Sequence, residues 1–225
     1  MALGAGSVTA WQMARAYSVF ANGGFLIQPY FILKIVDDRG NPLALANPPR
    51  AGEESLRVID PRNAFIMDSM MQDTTRTGTA ARAARLGRSD LAGKTGTTNE
   101  FVDAWFAGYQ PHLVGISWVG FDQPKTLGRN QTGGVVALPI WLGYMEKILK
   151  DLPDSQRDVP EGVVAVPMAV LAPGSDTALP HTEPKMVPEF FYQESVPPPE
   201  VLRPQEPLFT PGVPLPPSPP AQPPT

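Results

Sequence analysis

The run Leu91-Ala92-Gly93-Lys94-Thr95-Gly96-Thr97-Thr98-Asn99 gathers one cation and three hydroxyls into five residues, and Asp103-Ala104-Trp105-Phe106-Ala107-Gly108-Tyr109 follows almost at once. Two chemistries compete for it. A phosphate loop needs Gly-x-x-x-x-Gly-Lys-[Ser/Thr] and then a helix whose N-terminus faces the phosphates. Gly93-Lys94-Thr95 fits the end of that pattern, but its first glycine would fall at Arg88, and Gly87 is one residue too far away. Thr-Gly-Thr-Thr is also poor material for a helix. The second chemistry is that of a substrate-binding edge strand. Period-2 alternation places Thr95 and Thr97 on one face and Lys94 on the other. The two hydroxyls can hydrogen-bond an anion, and Lys94 can raise the local positive potential from behind and touch a neighbouring hydroxyl. Gly96 has no side chain to pack, which suits close approach of a ligand to the backbone. On these residues alone, a plain threonine-rich strand with one solvated lysine stands equally well.

Other chemistries find little support. The chain has no cysteine, which excludes disulfides and thiolate metal sites and leaves the redox compartment open. Its two histidines, His112 and His181, are far apart, so no metal site and no cofactor is expected. Asp37-Asp38-Arg39-Gly40-Asn41 reads as a hairpin turn rather than a cation site. Arg82, Arg85 and Arg88 fall three apart on the solvated face of a short helix over 78–88, which is only a weak phosphate signal. A net charge of −4 argues against a nucleic-acid partner. No apolar run approaches the roughly 18 residues of a membrane span, and the first residues lack the basic and apolar regions of a signal peptide.

The elements that would position the lysine strand are signposted locally. Thr9-Ala10-Trp11-Gln12 fits a capping box, and Asn22-Gly23-Gly24 supplies a left-handed stop, so a helix is expected between them. Its only polar positions, Gln12, Arg15, Ser18 and Asn22, make a narrow stripe, so it should be buried on most sides. A strand is expected over Tyr30–Val36. A second helix starts at Asp60-Pro61, with Ile66, Met67, Met70 and Met71 as its core stripe. Strands over about 91–98, 103–109 and 113–121 are separated by short turns and should pair antiparallel. A last helix over Ala137–Lys150 should pack Ile140, Trp141, Tyr144, Met145, Ile148 and Leu149 on that sheet. Gly162-Val163-Val164-Ala165-Val166 reads as a further short strand.

Several of these segments, in order, resemble the class A penicillin-binding proteins. They are Val8–Tyr17 with Phe20-Ala21-Asn22-Gly23-Gly24, Gly78-Thr79-Ala80, Gly93–Thr98, Asp103–Tyr109 and Val114–Asp122. The resemblance covers residues 1–152 and extends loosely to about 196. It implies a mixed α/β (α+β) fold, the C-terminal portion of a penicillin-binding/serine β-lactamase-like transpeptidase domain, with an antiparallel sheet packed by helices. It implies a peptidoglycan DD-transpeptidase, acting by serine acyl transfer on stem peptides and acylated by β-lactams, at the periplasmic face of the bacterial inner membrane. By family role, Lys94 supports the donor peptide's terminal carboxylate, Thr95 and Thr97 hydrogen-bond it, Gly96 lies between them, and the Thr97 backbone N–H is one oxyanion-hole donor.

The family builds its site from Ser-x-x-Lys, which carries the nucleophile, then Ser-x-Asn, then Lys-Thr-Gly. Only the third is here. No serine of this sequence has lysine at the third following position or asparagine at the second. No catalytic residue is therefore expected within the chain. The expectation is a C-terminal piece of a transpeptidase domain over 1–152, inactive alone and needing the upstream half of the same domain. A post-domain segment should follow over 153–196. Residues 197–225 hold 13 of the 28 prolines and should form a disordered tail with polyproline II character. A noncatalytic binding or scaffold module, recruiting a partner through that tail, is the alternative from another class.

Overall fold

The computed structural model describes residues 6–170 and 185–198. The chain divides into two compact units, Met1–Val163 and Val164–Thr225. Residues 199–225 of the proline-rich tail lie outside the described residues.

In the first unit, helix α1 spans Ala10–Ala21 and opens on the expected capping box. The Thr9 hydroxyl accepts from the Gln12 N–H at 3.2 Å, and the Gln12 side chain accepts from the Thr9 N–H at 2.9 Å. It ends at Asn22, and Gly23 follows with φ +85°. The helix is less buried than its composition implies. Only Val19 and Ala21 are fully buried, and Trp11 is 51% exposed.

Strands β1 (Lys34–Val36) and β2 (Pro42–Leu45) form an antiparallel hairpin, shorter than the expected Tyr30–Val36 strand because cross-strand backbone pairing reaches back no further than Leu33, which accepts from the Ala46 N–H. Its turn is the expected one, with the Asp37 carboxylate accepting from the N–H groups of Arg39 (2.9 Å) and Asn41 (2.7 Å). Helix α2 spans Pro61–Arg76, capped by the Asp60 side chain on the Arg62 N–H. Its buried face is Ala64, Asp68, Met71 and Thr75, a 4-3-4 spacing that follows one side of the helix. Met70 falls off that line and is 58% exposed, so the expected methionine stripe is only partly core.

Strands β3 (Ala92–Thr97), β4 (Ala104–Gln110) and β5 (Leu113–Val119) form an antiparallel meander in that order, as the short turns require. A π-helical turn over Gly133–Ala137 then leads into helix α3, Leu138–Ile148. Helices α1 and α2 meet Ala92, Tyr109 and Val114 on one face of the sheet. Helix α3 covers the other, where Phe106, Leu138, Trp141, Leu142 and Met145 form the main core. Each such fully buried side chain contributes about 1.5–3 kcal/mol. Gly108 and Gly115 are register partners and open a slot for the Trp141 indole: a Cβ on either would lie 2.8 Å from it. Half of the expected α3 stripe faces away, since Ile140, Tyr144 and Ile148 are 56%, 49% and 41% exposed. Those three recur every four residues and lie beside, not on, the row through Leu138, Trp141, Leu142 and Met145.

Residues 78–88 form a 3-10 helix over Ala81–Leu86. Arg82 and Arg85 are exposed there, whereas Arg88 is not on the solvated face. Its guanidinium forms a two-pronged pair with Asp90 (2.9 and 2.7 Å) and donates to the carbonyls of Leu149, Leu152 and Pro153. It thereby ties the start of β3 to the end of α3. In the second unit, β6 (Val163–Val170) and β7 (Lys185–Tyr192) form a two-stranded sheet, longer than the strand expected at 162–166. No described helix is long and apolar enough to cross a membrane.

Candidate functional site

Among the described residues, strand β3 pairs with β4 on one side only, in the register Ala92↔Tyr109 to Thr97↔Ala104. In an antiparallel strand, successive backbone N–H and C=O pairs point alternately toward the partner and away from it. The Thr98 N–H donates to Asp103 on the β4 side. Leu91, Gly93 and Thr95 point their carbonyls away, where they accept from Thr75, Thr74 and Lys94 respectively. By the same alternation the N–H of Thr97 points to the open edge. Helix α2 occupies the first half of that edge through Thr74 and Thr75, and leaves the second half, from Lys94 to Thr97, at the surface.

Thr95 and Thr97 share one face of β3, and both meet the π-helical turn. The Thr97 hydroxyl accepts from the Gly133 N–H at 3.0 Å. Gly133 comes so near the strand that a Cβ there would lie 2.5 Å from the Gly96 carbonyl oxygen. Only glycine fits that approach. Part of what Gly96 permits is therefore the seating of this turn. Lys94 starts from the opposite face, yet its side chain bends around the open edge. Its ammonium donates to the Thr95 carbonyl at 3.0 Å and to the Thr95 hydroxyl at 3.4 Å. One cation, two hydroxyls and one backbone N–H thus converge on the end of β3.

Three residues that sequence reasoning gave no role stand at this site. Thr79, in the loop after α2, places its hydroxyl 3.0 Å from that of Thr95. The Gly133-Gly134 pair, the only sequence signal for the π-helical turn, closes over Thr95 and Thr97. The connection from β3 to β4 is fixed as well. The Thr98 hydroxyl accepts from the Asp103 N–H at 2.8 Å, the Asp103 carboxylate accepts from the Trp118 indole at 2.8 Å, and Glu100 and Phe101 sit at φ 59° and 56°. Such left-handed backbone in bulky residues carries local strain held by its surroundings.

Behind the sheet lies a titratable pair. Tyr109 donates to Asp68 at 2.7 Å, and Gln72 donates to the other carboxylate oxygen at 3.1 Å. Burial pushes the Asp68 carboxyl above its ordinary range, opposed by the Tyr109 hydrogen bond. Burial and the neighbouring Asp68 charge push the Tyr109 hydroxyl up. Groups of three or more metal-ligating side chains do not occur among the described residues.

An antiparallel sheet between helices, with a Lys-Thr-Gly-Thr strand at its open edge, defines the serine acyl-transferase class of penicillin-binding folds. The family model for the penicillin-binding protein transpeptidase domain matches residues 1–143. The chain belongs to that family, in its class A branch. Penicillin-binding protein 1A of Neisseria lactamica is 51% identical over 165 residues, 73% of this chain and 21% of the relative. Its namesake in Pseudomonas aeruginosa is 42% identical over 211 residues, 74% of this chain and 26% of the relative. The crystal structure of penicillin-binding protein 1A from Haemophilus influenzae superposes with a TM-score of 0.75 at 35% identity, over 88% of this chain and 34% of that one. The chain thus spans about a fifth to a quarter of the length of these two curated relatives.

Proposed function

We propose that this chain supplies the carboxylate-holding wall of a peptidoglycan DD-transpeptidase site. The observation that carries the reading is the convergence of the Lys94 ammonium, the Thr95 and Thr97 hydroxyls and the Thr97 N–H at the open edge of β3. In this reading the terminal carboxylate of a D-Ala–D-Ala stem peptide, or of a β-lactam, accepts from Thr95 and Thr97 under the field of Lys94. The scissile carbonyl then lies by the Thr97 N–H.

A serine from a Ser-x-x-Lys element attacks that carbonyl, and the developing oxyanion accepts from the Thr97 N–H and from the serine's own N–H. Collapse of the tetrahedral species expels D-alanine and leaves an acyl ester. The amine of a neighbouring stem peptide attacks the ester, forms the cross-link and frees the serine. Neither Ser-x-x-Lys nor Ser-x-Asn occurs in the sequence, so the chain alone does no chemistry. Its working partner is the upstream half of the same domain, and its working place the periplasmic face of the inner membrane. In class A proteins a glycosyltransferase domain accompanies the transpeptidase.

The test joins this chain to the upstream segment of the Neisseria lactamica relative and measures acylation by a fluorescent penicillin. Losing a charge-assisted hydrogen bond costs about 1.5–3 kcal/mol, so Lys94→Ala should slow acylation about 10- to 100-fold. A penicillin whose carboxylate is masked as an ester should be nearly indifferent to the change. Equal acylation of Lys94→Ala and the unsubstituted protein by the free acid would contradict the reading.

A further inference from the structure

We infer that Thr79 is a positioning residue of the site, setting the Thr95 hydroxyl as a hydrogen-bond donor toward the bound carboxylate. The inference rests on the proposed function of β3 and names a residue that function does not use. A hydroxyl donates one proton and accepts through two lone pairs. A carboxylate accepts only, so a threonine serves it only when its own proton is free to point at it. At Thr97 this is arranged by the backbone: the Gly133 N–H occupies a lone pair of the hydroxyl at 3.0 Å, which leaves the proton for a ligand. Gly133 has no alternative role as acceptor there, because an amide N–H can only donate.

Among the described residues, Thr95 has no backbone donor of that kind. Its hydroxyl is met by the Lys94 ammonium at a long 3.4 Å and by the Thr79 hydroxyl at 3.0 Å. With the ammonium donating from one side, the remaining choice is between Thr79 donating to Thr95 and the reverse. A carboxylate at the open edge decides it: the arrangement Thr79→Thr95→carboxylate satisfies every proton, whereas the reverse leaves two acceptors facing each other. Thr79 comes from neither β3 nor the turn that covers it. It sits in the loop after α2, whose Thr74 and Thr75 are themselves bonded to the edge carbonyls of Gly93 and Leu91. Ala80 behind it is fully buried in the main core, which fixes the loop. Two segments outside β3, the loop after α2 and the π-helical turn, therefore hold the two threonine hydroxyls in one polarity.

The experiment uses the joined transpeptidase, with Thr79→Val, Thr79→Ser and Lys94→Ala measured side by side. A D-Ala–D-Ala peptide with a free terminal carboxylate is compared with its terminal carboxamide. Thr79→Val should raise KM for the carboxylate peptide about fivefold to tenfold with little change in kcat, the scale of one neutral hydrogen bond. Thr79→Ser should restore KM to within about twofold of the unsubstituted value. The preference for carboxylate over carboxamide should narrow in Thr79→Val, a readout that simple loosening of the loop would not move. A Thr79→Val enzyme with unchanged KM and unchanged preference, while Lys94→Ala is impaired, overturns the role of Thr79 alone. Lys94→Ala also without effect overturns the carboxylate wall itself, and this inference with it.

Discussion

Tyr109 and Asp68 meet at 2.7 Å across the seam between α2 and the sheet, with Gln72 on the other carboxylate oxygen and the charges of Arg157 and Arg76 nearby. Burial raises the folded-state pKa of Asp68 above its unfolded value. The folded state then holds the proton more tightly than the unfolded state. The associated stabilisation is complete below about pH 4, the ordinary aspartate value, and is lost as pH rises through the raised folded value. Asp68→Asn keeps an acceptor for Tyr109 and removes the titration. Denaturation at pH 4 and pH 7 should show the difference in stability between Asp68→Asn and the unsubstituted protein moving in favour of the variant at the higher pH. A difference that is constant, or moves the other way, would contradict the assignment.

At the scale of elements, the position of β3 depends on both ends of its surroundings. Arg88 is 10% exposed and Asp90 fully buried in their side chains, and Asp90 also accepts from the Ser155 N–H at 3.0 Å. The guanidinium also donates to the carbonyls of Leu149, Leu152 and Pro153, just past the end of α3, so a single residue ties the approach to the strand to the segment that follows the helix. Arg88→Met would leave a buried carboxylate unpaired and should destabilise the fold by about 3 kcal/mol, measured by denaturant titration. Adding Asp90→Asn should recover part of the loss, because the two residues act as a unit. A single variant within about 0.5 kcal/mol of the parent would show the clamp to be dispensable.

The same elements mark what a sequence displays and what it hides. Thr9 and Gln12, Asp60 and Pro61, and the turn at Asp37 act over three or four residues, so their meaning is complete in the local string. The three-strand meander was legible because its turns are short. Met70, Ile140 and Tyr144 look like their buried neighbours, and only the angle at which each helix meets the sheet decides their exposure. Arg88 shares a three-residue spacing with Arg82 and Arg85, but its partners at 149–153 are some sixty residues away. At the site, Lys94 to Thr97 stood out as a motif. Thr79 and Gly133 reach it from 16 and 36 residues away in sequence, a juxtaposition that no spacing rule encodes.

Over the first unit as a whole, large apolar side chains remain at the surface. Trp11 is 51% exposed, Phe31 85%, Leu33 61%, Leu43 68% and Leu45 66%, and Trp11 and Phe31 meet edge to face at 6.3 Å. Every residue of strands β1 and β2 is exposed. Large apolar side chains gathered at the surface mark a place where more protein packs. This surface is what the proposed role, one part of a larger transpeptidase, calls for. The most direct measurement is covalent labelling by a fluorescent penicillin, read on a denaturing gel, for the chain alone and for the chain joined to the upstream segment of its Neisseria lactamica relative. No adduct is expected on the chain alone, and a stoichiometric adduct, reversed by ester hydrolysis, is expected on the joined protein. A stoichiometric adduct on the chain alone, or none on a folded joined protein, would contradict the proposed role.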